Sequence, residues 1–226
     1  MSFQAMTMRM RTELVIFDFD GTLADTRHNI VLTLTQTLSA LCLPSVGEAD
    51  CAATIGLPLR EAFIRLCPDI SDSDIDRCVV AYSKIFEINR RKFAPRLFGH
   101  VAQTLRILYD RGVRMSIASS RSRKSLVDLA QEMGIGGYME CILGADDVRK
   151  AKPDPEPVLL TLERLGCSAE NTLVVGDMPF DIRMGADAGT FTCGVTYGNA
   201  TREQLSQSGA DYIIDDFASL LQITGS

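Results

Sequence analysis

Five short apolar runs recur along the chain, and about 95 residues separate the first from the second. The runs are LVIF at 14–17, VRMSIA at 113–118, CIL at 141–143, TLVV at 172–175 and YII at 212–214. Each has the length of a buried parallel strand. Helical patterns lie between the later runs, so the spacing from about residue 98 onward predicts an α/β fold with a doubly wound parallel sheet.

Two of these helical patterns have clear ends. One contains Leu126, Leu129, Ala130 and Met133, follows serines at 119, 120 and 122, and stops at Gly134. The other runs over 155–165, with a proline suited to its first turn and a glycine after its last residue.

The long interval after the first run shows helical periodicity with almost no strand candidates. Ile30, Leu34, Leu38 and Leu41 form one apolar stripe, and a second stripe follows the acidic start at 71–74. A single crossover needs far fewer residues. We therefore expect a catalytic core of residues 1–24 and 98–226 and a small helical domain, the helical insert, at 25–97. The cleft between them is the expected ligand site.

Charge and cysteine content narrow the class of partner. The chain of 226 residues has a formal charge of −6, which argues against nucleic acid or an anionic membrane as the main partner. Its seven cysteines are widely spaced and odd in number, as expected of a reduced cytoplasmic protein. No apolar run follows the basic opening MSFQAMTMRMRT or reaches membrane-spanning length, so export and insertion are not expected.

Polar residues used in phosphate chemistry follow four of the apolar runs. In an open parallel sheet these ends meet at one edge, where ligands bind. The residues are Asp18, Asp20 and Thr22 in FDFDGT, Ser119 after SIA, Lys152 in KPDP, and Asp177 and Asp181 in VVGDMPFD.

This residue set suits a divalent cation and a phosphoryl group. Asp18 and Asp177 offer the hard oxygen ligands that Mg²⁺ takes together with substrate phosphate. One aspartate can attack phosphorus, and Asp20 can protonate the leaving oxygen and then deprotonate water. Lys152 and the Ser119 hydroxyl can balance charge on the phosphoryl oxygens.

The motifs resemble those of the haloacid dehalogenase-like hydrolase superfamily, over nearly the whole chain. They are, in order, FDFDGTLADT, IASS, AKPDPEP and VVGDMPFDIRMGADAG. The later VTYGNATREQL and GADYIIDDF are similar to the phosphoglycolate phosphatase-like branch. The resemblance implies a Rossmann-like core, with the helical insert as a cap that closes over the substrate.

The resemblance also implies a role for each motif residue. Asp18 is the implied nucleophile and Asp20 the acid/base. Mg²⁺ is held by the Asp18 side chain, the Asp20 main-chain carbonyl and Asp177, with Asp181 close to the metal. Ser119 and Lys152 fall on phosphate-binding positions.

Four further residues are weaker candidates for substrate contact. Thr22 belongs to the first motif. Ser119 and Ser120 compete, since one can cap the helix that begins near 122 while the other meets phosphate; we favour the Ser119 side chain and the Ser120 backbone N–H. Arg60 is the candidate for a substrate carboxylate or second phosphate. His28 lies near the nucleophile loop, although a lone histidine is weak grounds for a role.

The sequence thus predicts a Mg²⁺-dependent phosphatase for a small cytoplasmic phosphate ester, with phosphoglycolate as the first candidate. A sugar-phosphate mutase, a pyrophosphatase and a nucleotidase are alternatives. A signalling receiver module uses similar residues, but it lacks a long interval after its first strand. A non-catalytic regulatory protein on the same fold stays open, as does the choice between monomer and homodimer.

Overall fold

A six-stranded parallel sheet forms the centre of the protein. The computed structural model describes residues 12–225, so the expectation about the opening segment at 1–11 lies outside the described residues. The strands lie in the order β5-β4-β1-β6-β7-β8 and all pair in parallel. They are β1 (Leu14–Phe17), β4 (Arg114–Ala118), β5 (Cys141–Leu143), β6 (Thr172–Gly176), β7 (Phe191–Val195) and β8 (Tyr212–Ile214).

The α/β fold class predicted from the sequence is confirmed, with one strand added. β7 was not among the five predicted runs, because FTCGV carries a threonine and a glycine and does not read as a continuous apolar run. The glycine has a packing reason, since a Cβ at Gly194 would press on the Leu205 side chain. β7 pairs with β6 on one side and β8 on the other, and four of its five residues are buried.

In the part of the core that the structure describes, six helices accompany the sheet. The two predicted from the sequence are present: α6 begins after Ser122, and α7 ends before Gly166. Among residues 12–225, no helix is both long and apolar enough to cross a membrane. The core helices are α5 (Val101–Asp110), α6 (Arg123–Glu132), α7 (Glu156–Leu165), α8 (Pro179–Asp187), α9 (Arg202–Gln207) and α10 (Leu220–Ile223).

Four helices lie between β1 and the return of the chain to the sheet. They are α1 (Arg27–Ala40), α2 (Glu48–Ala52), α3 (Leu59–Leu66) and α4 (Asp72–Lys92). The two linkers pair with each other as a short antiparallel ribbon of β2 (Ala24–Asp25) and β3 (Arg96–Leu97). The helical insert thus leaves and rejoins the core at one place, while its boundaries as a domain stay a prediction.

The turn after β1 sets the position of the first motif. Gly21 adopts φ +90°, a conformation that side chains rarely accept. A Cβ at this position would also collide with the side chains of Asp177 and Asn199. The turn therefore needs glycine both for its backbone conformation and for the close approach of the loop that follows β6.

We predict that Gly21→Ala destabilises the protein more than the backbone strain alone explains. Gly112→Ala is the matched control, because Gly112 has φ +75° and no heavy atom of residues 12–225 lies within 4 Å of a Cβ there. The control should lower the free energy of unfolding by about 1 kcal/mol and Gly21→Ala by at least about 2 kcal/mol. Urea unfolding measures both, and equal losses would show that the contact with Asp177 is unimportant.

Candidate active site

Four predicted site residues meet at the carboxyl edge of the parallel sheet. Asp18 follows β1, Ser119 follows β4 and Asp177 follows β6, while Lys152 comes from the loop between β5 and α7. All four side chains are buried. Because β1 lies between β4 and β6, the sheet order itself brings these loops together.

Lys152 is the buried cation of this group. Its Nζ lies 2.5 Å from Asp18 Oδ1 and 2.6 Å from Asp181 Oδ1. The second Asp181 oxygen accepts a hydrogen bond from the Met178 N–H, so Asp181 holds Lys152 with one oxygen and the start of α8 with the other. Of the hydrogen bonds among residues 12–225, none ends on Asp18 Oδ2.

Asp177 is held by a loop that sequence reasoning did not single out. The backbone N–H and the side-chain amide of Asn199 donate to Asp177 Oδ2 at 2.7 and 2.8 Å. The Thr22 hydroxyl lies 3.4 Å from Asp177 Oδ1. Thr22, predicted to bind substrate, is fully buried and faces Asp177. Asn199 lies in VTYGNATREQL, a segment that carries part of the family resemblance.

The buried carboxylates fit a hard divalent cation. Oxygen atoms of Asp18, Asp177 and Asp181 all lie within 4.8 Å of one another. Both Asp181 oxygens accept short hydrogen bonds, one of them from Lys152. Asp18 Oδ2 accepts none among residues 12–225, and Asp177 Oδ1 accepts only the long one from Thr22. Asp18 and Asp177 are therefore the better direct ligands, and Asp181 supports them. The Asp20 carboxylate is not part of this group, which agrees with a ligand role for its main chain only.

The Asp20 side chain points to a different set of partners. Its Oδ1 accepts a hydrogen bond from the Thr26 hydroxyl at 2.6 Å. Arg121 Nε donates to both carboxylate oxygens, at 2.8 and 2.6 Å. Arg121 was missed, since an arginine in the polar stretch SSRSR gives no sequence signal of burial. Its position two residues after Ser119 is the feature that could have indicated a site residue.

The three serines after β4 have separate tasks. Ser122, not Ser119 or Ser120, is the N-cap of α6, with its hydroxyl accepting from the Ser125 N–H. The Ser120 hydroxyl donates to the Gly56 carbonyl of the helical insert at 2.6 Å. The predicted competition between Ser119 and Ser120 for the cap is therefore wrong, and Ser119 keeps its place at the sheet edge.

A cavity of about 950 Å³ lies between the sheet edge and the helical insert. Asp18, Asp20 and Ser119 line it from the core, and residues of α3 and α4 line it from the insert. Arg60 is on this lining, but its side chain is half exposed and forms an ion pair with Asp76. His28 packs edge-on against Phe93 and is not among the lining residues.

Burial changes the acidity of the site carboxylates. Burial, partly opposed by Lys152, holds the pKa of Asp18 well above its usual range. Burial and the neighbouring Asp181 raise the pKa of Asp177 to about 7, although the Asn199 hydrogen bonds act in the opposite direction. Both carboxyl groups are therefore harder to ionise than a free aspartate, and Lys152 offsets this only in part.

Comparison with known proteins decides the family. The model of the haloacid dehalogenase-like hydrolases matches residues 15–195. The chain belongs to this family. It is 37% identical to "Probable phosphatase IndB" of Dickeya dadantii, an alignment that covers 92% of this chain and 91% of the relative.

Two further relatives carry names of phosphatases. The pyrophosphatase PpaX of Bacillus velezensis is 33% identical, covering 95% of this chain and 97% of the relative. The phosphoglycolate phosphatase of Salmonella typhimurium is 32% identical, in an alignment that covers 93% of this chain and 92% of the relative. A haloacid dehalogenase-like hydrolase from Bacteroides fragilis superposes with a TM-score of 0.88 at 30% identity, covering 93% of this chain and all of that one.

We predict that this hydrolase loses stability with rising pH when metal is absent. Asp177 has a folded pKa near 7, above its ordinary value of 3.8, so the folded state binds the extra proton between these values. That contribution to stability is present below about pH 4 and is lost as the pH rises through 7. In EDTA, the free energy of unfolding should fall by at least about 1 kcal/mol between pH 5 and pH 8.

Two comparisons check the source of the decline. Asp177→Asn should make it shallower, whereas Asp187→Asn, at an exposed position on α8, should not change it. Added Mg²⁺ should reduce it in the unaltered protein, because a bound cation stabilises ionised carboxylates. A decline of the same size in Asp177→Asn would contradict the assignment.

Proposed function

We propose that this hydrolase is a Mg²⁺-dependent phosphatase that acts on a small phosphate monoester through an aspartyl-phosphate. The proposal rests on the burial and the hydrogen bonds of the Asp18 carboxylate. Its carboxylate is buried at the end of β1, lines the cavity, and is fixed at Oδ1 by Lys152 while Oδ2 has no protein partner among residues 12–225. An oriented carboxylate with a free oxygen is suited to attack phosphorus.

In the first step, Asp18 Oδ2 forms a bond to phosphorus and the bond from phosphorus to the leaving oxygen breaks. The electron pair of that bond goes to the leaving oxygen, which takes a proton from the Asp20 carboxyl group. Lys152 and the Ser119 hydroxyl lie at the same sheet edge and stabilise charge on the phosphoryl oxygens.

In the second step, water replaces Asp18 on phosphorus. Asp20 accepts a proton from the water as its oxygen bonds to phosphorus, and the bond between Asp18 and phosphorus breaks. Inorganic phosphate leaves, and Asp18 and Asp20 return to their starting states. The walls of the cavity limit access of other water to the intermediate, which is a reason for a closing cap.

Asp18, Asp177 and the Asp20 main chain are the residues that would hold Mg²⁺, with Asp181 in support. A bound Mg²⁺ would neutralise charge as the anionic nucleophile approaches the anionic phosphoryl group. The raised pKa values of Asp18 and Asp177 support this assignment, because they mark carboxylates with too little compensating charge.

Phosphoglycolate is the first candidate substrate, and pyrophosphate is the second. One relative is named as a phosphoglycolate phosphatase and another as a pyrophosphatase, and each aligns over more than nine-tenths of this chain. A nucleotidase and a sugar-phosphate mutase share the same first step and stay as alternatives. A small phosphorylated metabolite fits a cytoplasmic protein, and the seven free cysteines support that location.

We predict that Asp18→Asn lowers Mg²⁺-dependent phosphate release by at least about 1,000-fold, because the amide is a poor nucleophile. Phosphate release from an aryl phosphate, phosphoglycolate and pyrophosphate, with Mg²⁺ and with EDTA, measures this. Asp187→Asn is the matched control, because Asp187 has an exposed side chain at the end of α8 and is not one of the site residues of its motif. Unchanged turnover in Asp18→Asn would rule out Asp18 as nucleophile.

Two other outcomes identify the alternatives. A mutase would return ³²P label to an isomerised sugar phosphate instead of releasing it. A regulatory protein would release no phosphate with or without Asp18.

A further inference from the structure

We infer that Arg121 binds a second anionic group of the substrate and thereby releases the Asp20 carboxylate for proton transfer. The inference rests on the proposed phosphatase function and deepens it. It assigns the substrate class as phosphate compounds that carry another acidic group, either a carboxylate or a second phosphoryl group.

Arg121 is the buried cation on the cavity wall. Three cationic side chains of the described residues line the cavity: Arg60, Arg121 and Lys124. Arg60 and Lys124 are 50% and 85% exposed and pair with other acids of the surface. The Arg121 side chain is only 10% exposed, so its charge is screened least by water.

The guanidinium of Arg121 is incompletely used by the protein. Nε carries the contact to Asp20, and Nη1 lies 3.4 Å from the Ser125 hydroxyl. Nη2 is buried and has no hydrogen-bond partner among residues 12–225. A guanidinium binds a carboxylate or phosphate with two parallel hydrogen bonds, and here one arm of that fork is unpaired.

Phe86 of the helical insert keeps this group in the cavity. The Arg121 guanidinium carbon lies 4.6 Å from the centre of the Phe86 ring, a favourable cation–π distance. Ring stacking restricts the plane of the guanidinium without occupying its N–H groups. Arg121 can therefore exchange one anionic partner for another while it stays on the aromatic face.

The present partner of Arg121 is the residue that must move a proton. Three hydrogen bonds, one from Thr26 and two from Arg121 Nε, end on the Asp20 carboxylate. In all three, Asp20 is an acceptor, whereas the first step needs it to donate to the leaving oxygen. A substrate anion that takes the guanidinium frees the Asp20 carboxylate, which then takes from solvent the proton that it passes to the leaving oxygen.

This arrangement gives selectivity in turnover as well as in binding. A phosphate ester without a second anion leaves Arg121 on Asp20 and so reacts slowly. Phosphoglycolate and ethyl phosphate form a matched pair, because ethyl phosphate has a methyl group where phosphoglycolate has a carboxylate. We expect the unaltered protein to prefer phosphoglycolate by roughly 10- to 100-fold in kcat/KM, the range of one charged hydrogen-bonded contact.

The test measures kcat and KM for phosphoglycolate, pyrophosphate and ethyl phosphate at saturating Mg²⁺. Arg121→Gln should reduce the preference for phosphoglycolate over ethyl phosphate to within about threefold, by a loss of kcat/KM on phosphoglycolate and a gain on ethyl phosphate, because the variant no longer holds Asp20. Arg121→Lys should restore part of the preference, since it keeps the charge but not the fork. Lys124→Gln, another cavity cation, should keep the preference of the unaltered protein.

The two sources of the second anion are separated by the substrates. If Arg121→Gln lowers kcat/KM for phosphoglycolate but not for pyrophosphate, the group that Arg121 binds is a carboxylate. If the variant lowers kcat/KM for pyrophosphate but not for phosphoglycolate, the bound group is a second phosphoryl group. Equal losses on ethyl phosphate and phosphoglycolate in Arg121→Gln would overturn the inference, because they indicate a general effect on Asp20 or on folding. A preference lost in Arg60→Gln and kept in Arg121→Gln would overturn it as well.

A binding measurement separates this inference from the proposed function. By calorimetry, phosphonoacetate should bind the unaltered protein at least about tenfold more tightly than ethylphosphonate, and Arg121→Gln should lose the difference. That result without any phosphate release would support the anion site and reject the phosphatase. Phosphate release with equal binding of the two phosphonates would support the phosphatase and reject the anion site.

Discussion

The structure depends on charge compensation for carboxylates buried at one sheet edge. Asp18, Asp177 and Asp181 are within 4.8 Å of one another, and Lys152 joins two of them. Like charges at this distance are costly without a cation between them. The loop from β5 to α7 supplies this cation, because it places the Lys152 ammonium group between Asp18 and Asp181. The raised pKa values of Asp18 and Asp177 show that burial outweighs the charge that Lys152 supplies.

Two parts of the chain enclose the cavity. The core presents Asp18, Asp20 and Ser119 on the floor of the cavity, and the helical insert covers them from α3 and α4. Only a few polar contacts cross this boundary, among them the Ser120 hydroxyl on the Gly56 carbonyl. The carboxylates of Asp18 and Asp177 are held by Lys152 and Asn199 of the core, so a change in the lining of α3 or α4 leaves these contacts intact. The Asp20 carboxylate differs, because it also accepts a hydrogen bond from Thr26 at the start of the insert.

Much of the core and of the reaction centre could be predicted from the sequence. The continuous apolar runs predicted β1 and β6, and the positions of Asp18, Asp177 and Lys152 after such runs predicted that they meet at one sheet edge. Sequence patterns did not predict β7 or the buried position of Arg121, because the local sequence there is not typical of buried residues. β7 contains Gly194 because Leu205 needs the space, and Arg121 lies in a stretch typical of a surface loop. Burial of such residues depends on what packs over them, and no local pattern carries that information.

The ribbon of β2 and β3 has a consequence for how the helical insert can move. Two separate linkers would allow rocking and twisting about several axes. Here the backbone pairing of Ala24 with Leu97 and of Asp25 with Arg96 ties the outgoing and returning strands into one short strap. Any displacement of the insert must bend this strap as a unit. The ribbon thus restricts rotation of the insert relative to the core to bending of this one pair of strands.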